Sequence, residues 1–191
     1  MSNKTNKTQL NKFASQIDGN KSYLDGITGL RADDNKKLSM AVCMTTLREY
    51  LGLSQKEAFD ALTDGGGDNK FDAFYYDDEN DLSELVIVQS KYKQKSGETD
   101  TFSEDEIKAT IKNCHDFLRG ENFQQASDNL KSKITAYRDL LRENDSPSIS
   151  IKLYFTTNGI IHDGHKTLRE VLDCYDKNIE VIFIDATRFG K

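Results

Sequence analysis

Two β-rich runs near the C-terminal end, "SISIKLYFTT" and "IEVIFID", are separated by a stretch far too long for a hairpin turn. Strands that far apart need a crossover, and a helical pattern around Lys166 to Tyr175 supplies one, so the segment reads as a βαβ unit. In the first run Ile149, Ile151, Leu153 and Phe155 alternate with polar residues. The second run is almost wholly apolar and is expected to be a parallel strand buried on both faces. A chain with this unit must build a sheet and cover it with helices.

A second pair of strands lies upstream. Phe71 to Tyr76 is short and aromatic, "DDEND" is a turn of charges, and Leu85 to Tyr92 is β-rich, so Phe71 to Lys93 is expected to be an antiparallel hairpin with an acidic tip. Helical patterns surround it. Leu10, Phe13 and Ile17 keep helical spacing, as do Leu38, Val42, Cys43, Leu47 and Tyr50 from about Lys37 onward. "LSQKEAFDAL" follows with Ser54 and Glu57 spaced as a capping box, and the glycines after it are expected to stop the helix. Ser103 and Glu106 have the same spacing and open a helix running to Gly120; a further helix carries Leu130, Ile134, Tyr137 and Leu141 on one stripe. The fold class is therefore α/β: a mixed sheet flanked by helices. Residues 1–36 read as a helical or flexible segment, and 37–191 as the main domain.

Composition narrows the function. A chain of 191 residues suits one domain with a real core. A net charge of -6 means that a nucleic-acid partner would have to be held by a local basic patch, not by the overall field. Three widely spaced cysteines (Cys43, Cys114, Cys174) in no CxxC pair argue against disulfides and a zinc cage, and point to a reducing, cytoplasmic setting. No apolar stretch is long enough for a membrane span.

Several chemical motifs fail on inspection. "DGGGDN" lacks a following GK[ST] and precedes a strand, where a P-loop needs a helix. Asp64, Asp68 and Asp72 hint at a calcium loop, yet the twelfth position counted from Asp64 is Tyr75, not a glutamate. His162 and His165 have chelate spacing without a second cluster of ligands. Cys114 and His115 are neighbours on a helix and so point in different directions, which weakens a Cys-His pair.

The hairpin carries the remaining signal. Leu85, Ile87, Gln89, Lys91 and Lys93 share one strand face, so an amide and an ammonium emerge together where the apolar run ends. Asp72 opens the partner strand, and antiparallel pairing can bring it to the same end of the sheet. A carboxylate and an amide oxygen are hard ligands suited to magnesium, which keeps open positions for water and a phosphate oxygen. Lys91 as a free base would have to fall far from about 10.4, so an electrostatic and positioning role suits it better. On spacing alone, a capped turn and a solvated strand end are the better account of these residues, because polar strand ends are common.

At these residues the sequence resembles the PD-(D/E)xK nuclease superfamily, in the Mrr-like variant whose second acid is glutamine, giving D...QxK. "TDGGGDNKFDAFYYD" followed by "LVIVQSKYKQ" is similar, more closely, to the N-terminal nuclease-like region of AIPR (abortive infection phage resistance) proteins, which are longer chains. The resemblance implies a restriction-endonuclease-like fold and a magnesium-dependent nuclease, with manganese as substitute, acting on DNA in anti-phage defence. Asp72 and Gln89 would hold the metal and Lys91 would be the catalytic lysine. Gly65, Gly66 and Gly67 would let a nucleic-acid strand approach closely. Relatives often add a glutamate from the preceding helix; Glu49 and Glu57 are the candidates here, and spacing does not choose between them. Lys91, Lys93 and Lys95, with Lys108, Lys112, Lys131, Lys133, Arg138 and Arg142 on the next helices, are the candidate phosphate groove, although such charges also simply solvate helix faces. A homodimer is compatible with this reading. Its rival is a nuclease-derived module that binds nucleic acid or a protein without cutting.

Overall fold

In the computed structural model, which describes residues 7–30, 32–63, 71–77, 81–94, 102–121, 123, 126–144, 149–161 and 178–189, the aromatic and aliphatic runs pair as a hairpin. β1 (Ala73–Asp77) runs antiparallel to β2 (Asp81–Lys91), in the register Ala73 to Val88 and Phe74 to Ile87. β3 (Ser150–Thr157) lies parallel to β2, and β4 (Ile179–Ile184) parallel to β3, giving one mixed sheet in the order β1-β2-β3-β4. The fold is the α/β class expected, a mixed sheet flanked by helices.

Strand alternation sorts the β2 side chains into two cores. Leu85 and Ile87 face α4 (Glu104–Leu118) and α5 (Asp128–Glu143), where Phe117, Leu130 and Tyr137 are buried. Val86 and Val88 face the other way, into the layer built by α1 (Lys7–Asp25), α2 (Asp34–Leu51) and α3 (Gln55–Asp60). Helix α2 is buried from Ala41 through Leu47 because α1 covers one flank and the sheet the other. Phe13, Ile17 and Leu24 of α1 join that core, and Gly52 at φ 72° ends α2 in the left-handed region that glycine adopts without strain.

Two expectations need correction. β4 is not buried on both faces: it is the edge of the sheet among the described residues, with Glu180 exposed and only Ile179 and Ile184 buried. The C-terminal strand buried on both faces is instead β3, like β2 before it: its Ile151, Leu153 and Phe155 enter one core while Tyr154 enters the other. Its Thr156 is satisfied by the Thr46 hydroxyl at 2.7 Å. The apolar run of β4 reflects packing along one edge, which hydropathy alone does not separate from central burial.

Nor do the glycines stop α3. It ends at Asp60, where the Ala61 amide closes back on Glu57 and Phe59, and Leu62 bridges to Ala73 of the hairpin. Tertiary pairing ends the helix. Asp64, Gly65, Gly66, Gly67, Asp68, the tip residues 78–80, Lys95, His162, His165, Cys174 and the helix expected around Lys166 to Tyr175 lie outside the described residues.

Candidate functional site

The site grows from the end of β2. Gln89, Ser90 and Lys91 pair with Phe155, Thr156 and Thr157 of β3, so this polar stretch is held inside the sheet. Just beyond it, the buried Asn158 side chain clamps Lys93, accepting from its amide at 2.6 Å and donating to its carbonyl at 2.7 Å. A solvated, fraying strand end does not describe this geometry: Ser90 is buried and the Gln89 Oε1 is buried as well.

Asp72 reaches this end from the partner strand, its amide donating to the Val88 carbonyl at 2.8 Å. Its Oδ2 accepts from the Ser90 amide at 2.6 Å and from the Gln89 Nε2 at 3.0 Å, and lies 3.1 Å from the Ser90 hydroxyl. That hydroxyl is also 3.1 Å from the Ser39 carbonyl, so one proton serves two acceptors. Because Asp72 takes the Gln89 nitrogen, the amide oxygen faces elsewhere, and it has no hydrogen-bond partner among the described residues. A buried, unpartnered acceptor beside a carboxylate is a feature that needs a chemical reason.

Lys91, next on the same face as Gln89, sends its ammonium to Glu106 Oε1 at 2.5 Å and over the Phe102 ring at 5.3 Å. Both members of the pair are about one-third exposed, at 32% and 33%. Glu106 is held from behind by the Ser103 amide at 2.9 Å and the Ser103 hydroxyl at 3.0 Å, completing the capping box of α4. Burial alone would raise the Glu106 carboxyl, but the Lys91 ammonium and the Ser103 donors outweigh it and hold the group below its ordinary value of 4.5.

The sign of the pH effect follows. A depressed folded-state value stabilises the fold above the ordinary value, and that contribution is lost as pH falls through the lower, folded one. The melting-temperature advantage of wild type over Glu106→Gln at pH 7 is therefore expected to shrink below about pH 4.5, the ordinary glutamate value. A gap that stays constant down to pH 3 in thermal melts would contradict this.

The two glutamates offered by the sequence do other work. Glu49 pairs with Lys12 at 2.7 Å and accepts from Gln16, lining a separate cavity with Asn20, Thr45 and Arg48. Glu57 closes the capping box with Ser54. The carboxylate that does meet the site, Glu106, was legible only as a helix cap. What the sequence did not reveal is that α4 begins beside the end of β2.

Five of the six candidate helix cations, all but Lys131, are similarly occupied. Lys108 pairs with Glu104, Lys112 with Asp116 at 2.5 Å and Arg142 with Asp139 at 2.9 Å, all within their own helices. Lys133 donates to the Asp60 carbonyl, and the Arg138 guanidinium stands over the Phe117 ring at 5.3 Å while donating to the Glu121 carbonyl at 3.1 Å. Cys114 is buried and desolvation pushes its thiol up, which removes it as a nucleophile paired with His115. Cys43 is also buried; desolvation and then the Asp72 charge push its thiol up, against a hydrogen bond with Ser90.

Beside Asp72 and Ser90 opens a cavity of about 350 Å³, whose other walls include Asp33, Asn35, Lys36 and Ser39 at the start of α2. It shares Lys36, Met40 and Thr63 with a larger cavity of about 490 Å³ between α2, α3 and α5. Among the described residues no three His, Cys, Asp or Glu side chains form a metal cluster. Magnesium does not require one: it is held by one or two protein oxygens and keeps waters and substrate phosphates as its other ligands. The Asp72 carboxylate fits that description as it stands; the Gln89 oxygen, turned away from Asp72 while the amide nitrogen donates to Oδ2, would join the same ion only after the side-chain amide flips. No helix of the described residues is long and apolar enough to cross a membrane. No family model, curated protein or solved structure matches the chain.

Proposed function

We propose that the chain is a metal-dependent nuclease that hydrolyses phosphodiester bonds, with DNA as substrate, in anti-phage defence. The observation that carries this reading is the meeting of Asp72 with Gln89 across the hairpin, which leaves a buried amide oxygen without a donor among the described residues. The likeness of residues 64–94 to AIPR proteins supports the substrate and the biological setting.

In this reading the Gln89 amide flips when the ion arrives, and Asp72 and the Gln89 oxygen then hold magnesium, or manganese in its place. The ion, when bound, supplies Lewis-acid polarisation of the phosphate and a more acidic water. The protein supplies the rest. Three donors fix the Asp72 Oδ2, so its carboxylate does not rotate away from the site. Lys91 places a positive charge on the same face as Gln89, where it would meet the negative charge that builds on the phosphorane oxygens as the new bond forms.

A second reading, a module that binds without cutting, is favoured by one observation: Lys91 is engaged by Glu106, and the nearby helix cations are engaged too. A cleavage assay on DNA with magnesium or manganese separates the two, comparing wild type with Asp72→Ala and Lys91→Ala. Cutting that both changes abolish is the expected result. Oligonucleotide binding without cutting in the wild type would transfer the case to the module.

A further inference from the structure

Lys91 carries its charge on four rotatable carbons, and a free ammonium on such a stem is a poorly aimed one. Here the aim is set by a chain of contacts that begins far from the chemistry. Ser103 caps α4 and takes Glu106 Oε2 through its amide and its hydroxyl, which fixes the carboxylate plane. The other oxygen, Oε1, then receives the Lys91 ammonium at 2.5 Å, with the Phe102 ring 5.3 Å away. An ammonium has three donors, so this bond leaves two for other acceptors.

We propose that Glu106 is a positioning residue for Lys91, holding its ammonium on the Gln89 face of β2 with donors directed to an incoming phosphate. The proposal rests on the nuclease reading of the Asp72–Gln89 site and assigns to it an acid that neither the D...QxK pattern nor the preceding helix supplies. Glu106 acts through the lysine and touches no reacting atom. A purely structural alternative is that the pair only ties α4 to the sheet.

One substitution separates these. Glutamine serves in a capping box as glutamate does, so Glu106→Gln keeps the cap and removes only the charge that holds Lys91. Cleavage kinetics are expected to show a fall in kcat on the order of tenfold or more, with KM little changed, because an ill-aimed group costs rate more than ground-state binding. In a Lys91→Met background the same change is expected to do nothing further, since its effect passes through the lysine. The second readout needs no activity. In ¹H–¹⁵N spectra the Lys91 ammonium, assigned by its loss in Lys91→Met, is expected to give a slowly exchanging signal in wild type and to lose it in Glu106→Gln.

Equal kcat in wild type and Glu106→Gln, additive losses in the double variant, or an ammonium signal indifferent to Glu106 would each overturn the proposal while the nuclease reading stands. In a wild type that binds without cutting, the ammonium signal decides: its loss in Glu106→Gln supports the positioning role and its persistence overturns it. A wild type that neither cuts nor binds removes both readings.

Discussion

Asp72→Asn is expected to remove magnesium-dependent cleavage of DNA, by about 10²–10³-fold or more, the scale on which a single aimed electrostatic group acts in catalysis. Asparagine is the informative replacement because of what Oδ2 does in the fold. It accepts from the Ser90 amide and the Gln89 amide and lies beside the Ser90 hydroxyl. Alanine would strand those donors, each at a cost of about 1–3 kcal/mol where they are buried, so lost cutting could reflect a loosened hairpin. Asparagine keeps the shape and one acceptor and deletes the charge. Steady-state cleavage, with circular dichroism to show an intact fold, checks the expectation. An Asp72→Asn protein that cuts at the wild-type rate would end the proposed role of this carboxylate.

The second large effect is on stability. Phe74→Ala is expected to destabilise the fold by about 3–5 kcal/mol, the range for emptying an aromatic site in a core. Phe74 is 2% exposed and sits edge-on to Phe117 and Tyr137, with ring centroids 5.7 and 5.9 Å away, so it joins β1 to both α4 and α5. Tyr137 is itself packed against Tyr76 and stacked on Phe117, which limits how far the cavity can close. Urea unfolding monitored by circular dichroism measures the loss; a change under 1 kcal/mol would show that the cluster rearranges freely. The same substitution is expected to weaken the site indirectly, since Asp72 stands at the start of the strand that Phe74 anchors.

What was legible in the sequence was local. The Ser54–Glu57 and Ser103–Glu106 spacings announce capping boxes, and both form, because a cap depends only on residues within one helical turn. The convergence of Asp72 and Gln89 follows from alternation and antiparallel pairing about a turn, again a short-range argument. The losses were all long-range. Nothing in "IEVIFID" tells an edge strand from a central one, since sheet order is set by distant crossovers. The pairing of Glu49 of α2 with Lys12 of α1 could not be assigned before the helices were docked, and the second partner of Glu106 lies on an element that its own neighbours do not name. The orientation of the Gln89 amide was likewise hidden: its nitrogen faces Asp72 because a carboxylate can only accept.

Gln89 and Lys91 point to the α4 side of the sheet while the Ser90 between them is buried toward Ser39 of α2, and Asp72 reaches both sides from the sheet's end. The spacing of the amide and the amine is thus a matter of odd and even. Helices around such a frame can lengthen or shorten with little harm, but one residue inserted between positions 89 and 91 would deliver the amine to the layer that holds Cys43, and no choice of rotamer could bring it back.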